Sequence, residues 1–378
     1  MKVKDRFKRF NSGRAVLFFV ALIALFMTGA VLKLAVDVVL PFTIALLLAL
    51  VMTPLVNFLG KIKIPRFISI MLMVVIIITG LTIMGAILFT SGRSILAVYP
   101  RYENRITEIY LFLGYFFELP FDEHLSIIQN LWAQLNIRNQ IQQYTLALTN
   151  ASINFLMDAM MVTIFTVFLL FEGVFIKEKL SLAFEGKWEG QIRKISTDTM
   201  IQISQYLSLK LIISLVTGVL VFILLSIVGV EFAALWGIMQ FILNFIPTIG
   251  SIAIGFVVSL FALIQFWPDP GPIIWTVIIM LGTNMMVGNV IEPKVMGDRL
   301  GLSPIAILFS LVVWGWIWGF AGMILAVPLM AIIKIVCENT PIMEPVSILL
   351  SSRPVILAKK TALEKETQEE KANLENGE

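Results

Sequence analysis

Seven apolar stretches of this chain carry no charged residue: 15–32, 38–60, 67–92, 211–230, 232–268, 270–291 and 300–333. An eighth, 153–176, holds only Asp158 and Glu172, near its two ends. A hydrocarbon layer of about 30 Å is crossed by about 20 helical residues, so most of these runs fit one crossing each. The apolar residues form blocks without a charge and are not scattered, the signature of spans rather than of a core. With 58% of residues hydrophobic and only 14% charged, the chain could not cover a soluble surface, where about a quarter of residues are charged. The sequence therefore predicts an all-α integral membrane protein with about six full transmembrane helices.

Two runs break the rule. At about 1.5 Å per residue, 232–268 and 300–333 would each extend roughly 50 Å, too long for one crossing and short for two. The first holds Asn244, Pro247 and Gly250 near its middle; the second holds Gly315, Gly319, Gly322 and Pro328. Proline removes a backbone donor and glycine loosens a helix. At membrane depth such breaks are tolerated only where protein or a water-filled cavity receives the freed groups. Both runs read as broken helices or re-entrant hairpins, giving eight membrane segments in all. A long, tilted, kinked helix is the alternative for each.

Lysine and arginine near the spans give the expected orientation. Lys2, Lys4, Arg6, Lys8, Arg9 and Arg14 precede the first span, and Lys61, Lys63 and Arg66 fill the loop after the second. Lys177, Lys179, Lys187, Arg193 and Lys194 follow the fourth. A consistent alternation makes these regions and both termini cytoplasmic. The first broken segment then enters from outside and the second from inside, an inverted pair of the kind secondary transporters build around a midplane site. The expected organisation is a basic N-terminus (1–14), three spans (15–92), and an extracytoplasmic amphipathic helical segment (93–150). A fourth span (151–176), a cytoplasmic amphipathic connector (177–206), a transport core (207–340) and a cytoplasmic polar tail (341–378) complete it. The first apolar block is too long for the core of a signal peptide and reads as a membrane helix.

The single cysteine, Cys337, and single histidine, His124, exclude a disulfide within the chain and a Cys/His metal cluster. There is no P-loop, GxSxG elbow, HExxH or dinucleotide fingerprint. The chain reads as a non-enzyme without metal, cofactor or nucleic-acid partner, whose surroundings are the lipid bilayer.

Polar groups within the apolar runs are the functional candidates, because burying them there is costly. They concentrate at Asn244, Pro247, Thr248, Gly250 and Ser251, and again at Asn284, Asn289 and Glu292. A break at Pro247 frees carbonyls that suit a cation and amides that suit an anion or a hydroxyl-rich solute. Glu292 ends a charge-free run and could carry a proton or bind a cation; pairing with Lys294 or Arg299 is the plain alternative. Lys210 can snorkel to the interface, and Asp37 can pair with Lys33. Pro293, Gly297, Gly315, Gly319, Gly322 and Pro328 are candidates for gating or close packing. Trp314, Trp316 and Trp318 read either as interface anchors or as part of a gate.

At these residues the chain resembles the autoinducer-2 exporter family of bacterial membrane proteins. The resemblance rests on Asn244-Phe245-Ile246-Pro247-Thr248-Ile249-Gly250-Ser251, Glu292-Pro293-Lys294-Val295-Met296-Gly297, Gly301-Leu302-Ser303-Pro304, and Trp314-Gly315 through Gly319, Gly322, Ala326 and Pro328. Leu40-Pro41-Phe42 through Thr53-Pro54-Leu55 fit the family's second span, and the layout covers about 15–340. The resemblance implies a bacterial inner-membrane carrier with cytoplasmic termini that forms homo-oligomers, pentamers among them. It implies export of a small polar signalling solute, or exchange of sodium or lithium for protons. A passive oligomeric pore and a non-transporting scaffold remain the competing expectations.

Overall fold

The computed structural model describes residues 12–116, 137–173, 179, 189–296, 301–338, 340 and 343–352. The long helices are α1 (Ser12–Leu34), α2 (Val36–Lys61), α3 (Arg66–Phe116), α4 (Ile137–Glu172) and α5 (Glu189–Val228). Then come α6 (Ala233–Leu243), α7 (Ile249–Phe266), α8 (Pro270–Met286), a π-helical turn (Val287–Ile291), α9 (Glu292–Met296), α10 (Pro304–Glu338) and α11 (Glu344–Leu350). Seven of the described helical stretches are long and apolar enough to cross a membrane, and α1 and α6 add shorter apolar pieces. The expected all-α membrane fold is what the chain adopts: α2 to α5 and α8 are single spans, α1 is a shorter apolar helix, and the remaining two segments turn back.

Prolines inside the bundle are tolerated because neighbours accept the groups they free. Pro54 lies inside α2 and cannot bond the Leu50 carbonyl four residues earlier. Ser204 of α5 donates its hydroxyl to that carbonyl at 2.6 Å. The exchange ties α2 to α5 where Met52, Val56, Ile70, Ile203, Leu207 and Met330 form the largest apolar cluster. Helices α5 and α6 approach more closely still. A side chain on Gly218 would begin 2.6 Å from the Gly237 carbonyl, and one on Gly237 would begin 2.8 Å from the Gly218 carbonyl. Small residues here let two backbones touch, the usual way helices pack where lipid offers no hydrophobic drive.

The first overlong run is a re-entrant hairpin. Helix α6 is only 11 residues long and stops at Asn244. Helix α7 then returns, and Gln265 near its end accepts from the Glu231 amide at 2.9 Å and donates to the Gly229 carbonyl at 2.9 Å. Both ends of the hairpin therefore lie at one level, beside the α5–α6 turn. The second run, α10, also folds back. Trp318 and Gly319 leave helical geometry, with Gly319 at φ +61° and ψ −139°. The arms are antiparallel: Ser310 donates to the Ala326 carbonyl at 2.7 Å. Its tip packs against α1, where the Trp318 indole donates to the Leu32 carbonyl at 3.0 Å. Pro328, expected to help make the break, lies inside the second arm; Gly319 makes the reversal. Helix α8 connects the open end of the first hairpin to that of the second, so the two enter from opposite ends. Ile246 at the first tip packs on Leu311 and Ala326 of the second.

Three helices run on past the edges of their spans. Helix α3 passes 92 without interruption and runs to Phe116, and α4 begins at Ile137, well ahead of its span. Helix α5 likewise begins at Glu189, so no break separates connector from span. The reason is that polar residues with good helix propensity prolong an existing helix at little cost. The α3 extension is anchored: Tyr102 donates its hydroxyl to Glu231, and Arg101 pairs with the same carboxylate at 3.1 Å. Burial, reinforced by that carboxylate, pushes the Tyr102 phenol well above its ordinary value. Beyond Lys334, residues of the expected tail fold onto the bundle. The Ser303 amide donates to the Leu350 carbonyl at 2.8 Å, the Ser352 amide donates to the Gly301 carbonyl at 2.5 Å, and Leu302 faces Ser351. The expected helix around 127–135, His124, and Lys177 and Lys187 lie outside the described residues.

Candidate functional site

Between α5, the first hairpin, α8 and the start of α10 lies a cleft of about 1110 Å³. Its polar wall is assembled from four elements. Helix α5 supplies Tyr206 and Lys210, four residues apart and so on one helical face. The hairpin tip supplies Asn244, Pro247, Thr248 and Ser251; α8 and its π turn supply Asn284 and Asn289, and α9 supplies Glu292. Gly301, Leu302 and Ser352, the residues of the C-terminal pairing, edge the same cleft.

The π turn explains how α8 presents its polar groups together. On an α-helix, Asn284 and Asn289 would point about 140° apart, given 3.6 residues per turn. The π turn at Val287–Ile291 bonds the Glu292 amide to the Val287 carbonyl, five residues back. The wider turn takes up one extra residue and returns Asn289 and Glu292 toward the cleft. Single π turns of this kind recur at functional sites.

Glu292 pairs with Lys210, not with Lys294. Lys210 Nζ donates to Glu292 Oε1 at 2.6 Å; the lysine side chain is 4% exposed and the glutamate 28%. Lys210 therefore does not snorkel. Leaving a buried ammonium without its counter-charge costs about 3–5 kcal/mol, so the pair is held tightly unless the surroundings change. The exposed side of the carboxylate faces the cleft, where a solute or a proton can reach it. Lys33, expected beside Asp37, instead stands 4.2 Å above the Trp316 ring.

The hairpin tip is strained. The Ile249 amide donates to the Pro247 carbonyl at 2.6 Å, closing a three-residue turn around Thr248 at φ 61° and ψ −57°. This is the rare form of the γ-turn, unfavourable for a β-branched residue. Three side-chain hydrogen bonds hold it. Asn244 donates to Ser214 Oγ at 2.9 Å. Gln240 donates to Asn284 Oδ1 at 2.9 Å, and Asn284 donates to the Ser251 carbonyl at 3.1 Å, linking α6, α8 and α7 in series. That direction of donation is fixed by the Ser251 carbonyl. It leaves the fully buried Gln240 Oε1 without a protein donor among the described residues.

A family model described as AI-2E family transporter matches residues 17–342. The chain belongs to the AI-2E transporter family. It is 33% identical over 321 residues to a Haemophilus influenzae protein provisionally named a transport protein, covering 82% of this chain and 88% of that one. It is 30% identical over 308 residues to the provisionally named transport protein YhhT of Escherichia coli K12, covering 81% and 86%. It is 27% identical over 358 residues to the AI-2 transport protein TqsA of the same strain, covering 90% and 96%. The protein is thus a multi-pass membrane transporter.

The transporter's cleft gathers eight of the residues singled out in its sequence: Asn244, Pro247, Thr248, Ser251, Asn284, Asn289, Glu292 and Pro293. Gly250 lies behind the wall, where an added side chain would meet the Leu243 carbonyl at 1.9 Å. Gly315, Gly319, Gly322 and Pro328 do not line the cleft; they shape the second hairpin. Gly322 repeats the role of Gly250, with the Trp314 carbonyl 1.9 Å from its notional Cβ. Gly297 lies outside the described residues. Sequence reasoning missed Tyr206, Ser214 and Gln240 and misjudged Lys210. The spacing Tyr206, Lys210, Ser214 is a signal that could have found them: three polar groups on one face at the start of an apolar span.

Proposed function

We propose that this transporter is a secondary carrier that exports a small polar solute, or exchanges a monovalent cation for protons, with Glu292 and Lys210 as the coupling pair. The observation that carries this reading is the Lys210–Glu292 pair at the edge of the cleft bounded by the strained hairpin tip. Protonating Glu292 removes the counter-charge of a buried ammonium, so the paired arrangement loses its advantage. The protein then favours an arrangement in which Lys210 gains water or a solute group, and the hairpins are the walls that move. A proton bound or released at one carboxylate is in this way linked to opening of the cleft. Nothing in the cycle calls for a catalytic step.

The name of the relative TqsA supports AI-2 as the solute to test first. The basic residues flanking the spans support a bacterial inner membrane with both termini in the cytoplasm. Homo-oligomers belong to the same reading. A passive pore would give unit conductance steps in a bilayer recording, and a carrier gives saturable flux with counterflow. In proteoliposomes bearing a pH gradient, uptake of AI-2, sodium and lithium is measured for the wild type and Glu292→Gln. Proton-linked flux is expected only with Glu292; a variant that keeps it undiminished sinks the coupling role.

A further inference from the structure

The walls of the cleft are not equally firm. Most are whole helices, but one edge is made of two short extended pieces, 301–303 and 350–352. They meet in a single antiparallel rung. The Ser303 amide donates to the Leu350 carbonyl at 2.8 Å and the Ser352 amide to the Gly301 carbonyl at 2.5 Å, with Leu302 opposite Ser351 between them. Gly301, Leu302 and Ser352 line the cleft. Leu302 is buried in the same apolar cluster as Tyr206 and Leu207, about one turn ahead of Lys210. The rung therefore stands at the end of the cleft that holds the Lys210–Glu292 pair.

The rung is also what holds α11 in place. Within that helix only Ser347 is buried, Leu350 is half-buried on the main cluster, and Leu349 is 81% exposed. A segment with so few buried apolar contacts opens at low cost. Its place in the chain gives the opening a consequence. Residues 301–303 lead into the first arm of α10, and they move with it, because Ser303 Oγ accepts from the Ala306 amide at 3.1 Å. Helix α11 follows the second arm. The rung thus ties the open end of the second hairpin, while the Trp318 indole fixes the tip to the Leu32 carbonyl. Tied at both ends, the first arm cannot swing away from α5 and α8.

From this we infer that the rung between 301–303 and 350–352 is a releasable clasp, which parts to open the Lys210–Glu292 end of the cleft and re-forms to close it. The inference rests on the carrier reading and names the element that gates the same cleft. The clasp is two backbone hydrogen bonds, so it parts without stranding a charge, and either class of solute, polar or cationic, can pass it.

A reversible lock tests it. Leu302 and Ser351 are the pair between the two hydrogen bonds of the rung, where antiparallel Cα atoms lie about 4.5 Å apart and a disulfide fits. The full chain carrying Leu302→Cys, Ser351→Cys and Gly288→Cys in a Cys337→Ser background is placed in proteoliposomes. Gly288 lines the cleft, and a side chain added there meets nothing within 4 Å. The bridge is closed with an oxidant and reopened with a reductant, so each preparation is its own control for folding. Labelling of the cysteine introduced at Gly288 by a bulky charged maleimide is read by peptide mass spectrometry. It should fall severalfold on oxidation and return on reduction. Gly288→Cys with Cys337→Ser alone should respond to neither treatment. Labelling that oxidation leaves unchanged overturns the inference, since the cleft then opens with the clasp shut; a bridge that does not form removes the rung itself. Proton-linked flux in the same vesicles separates the two readings. Flux indifferent to the bridge keeps the carrier and sinks the clasp. No flux in the reduced protein, with labelling still governed by the bridge, sinks the carrier and keeps the clasp.

Discussion

Four glycines of this chain form a graded test of the second hairpin. Replacing Gly322 by alanine puts a methyl group 1.9 Å from the Trp314 carbonyl oxygen and 2.6 Å from its carbon. Both obstacles are backbone, so no rotamer change relieves them; the arms must part by about 1 Å, and overpacking of this kind costs typically 1–3 kcal/mol or more. Parting the arms also loses the Ser310–Ala326 hydrogen bond, worth about 1 kcal/mol net. At Gly319 the added methyl meets nothing within 4 Å, but φ +61° with ψ −139° is a conformation that other residues avoid. The cost there is conformational, of order 1–3 kcal/mol. At Gly315 the methyl meets only Met323 Cγ, at 2.9 Å, and a flexible methionine gives way at a cost below about 1 kcal/mol. At Gly282, on α8, nothing lies within 4 Å and helix propensity gains up to about 1 kcal/mol. The heat midpoint of the detergent-solubilised protein, read by size-exclusion chromatography after graded heating, should rank Gly282→Ala highest. Gly315→Ala, Gly319→Ala and Gly322→Ala should follow in descending order. A Gly322→Ala protein as stable as Gly282→Ala would refute the antiparallel packing of the arms.

Further outcomes follow from the same contacts. Glu292→Gln leaves Lys210 charged and buried and should lower the heat midpoint, whereas Lys210→Met with Glu292→Gln should recover most of the loss. Tyr102→Phe should weaken the anchor of α3 by about 1.5–3 kcal/mol, the range for hydrogen bonds to charged groups. Because the Tyr102 phenol is raised above its unfolded value of about 10, its contribution is complete below pH 10 and lost as pH rises beyond it. The phenylalanine variant should therefore show a smaller loss of stability between pH 10 and 12 in alkaline titrations followed by circular dichroism. Truncation after Leu350 removes the pairing of Ser351 and Ser352 with 301–302 and should increase thiol labelling of Gly288→Cys, in a Cys337→Ser background, by water-soluble reagents.

The membrane fold was legible because hydrocarbon leaves a chain few choices: runs without charge must be helices, and runs too long for one crossing must break or tilt. Asn244–Pro247 located the first reversal, since proline and an amide side chain inside an apolar run have few other uses. The second was legible as a region but not as a residue. Gly315, Gly319, Gly322 and Pro328 were all candidates for the break; a helix arm absorbs Pro328, and Gly319 turns the chain at positive φ. Asn284, Asn289 and Glu292 were legible by type, but their shared direction depends on a π turn that leaves no mark in composition. Lys210 and Glu292 are 82 positions apart, and local rules favoured Lys294 or Arg299 as the partner. Only the packing of α5 against α8 decides that contact. Helices α3, α4 and α5 run past the membrane edges that charge patterning marks, because a helix does not need to stop there.

A cleft enclosed by two reversed helices should admit water within the membrane-spanning bundle. In a Cys337→Ser background, single cysteines at Thr248, Ser251 and Asn289 are exposed to a charged, membrane-impermeant thiol reagent in proteoliposomes, with Ile305→Cys and Val312→Cys as outward-facing controls. The three cleft positions should react and the two controls should not. Cleft cysteines as inert as the controls would contradict the account.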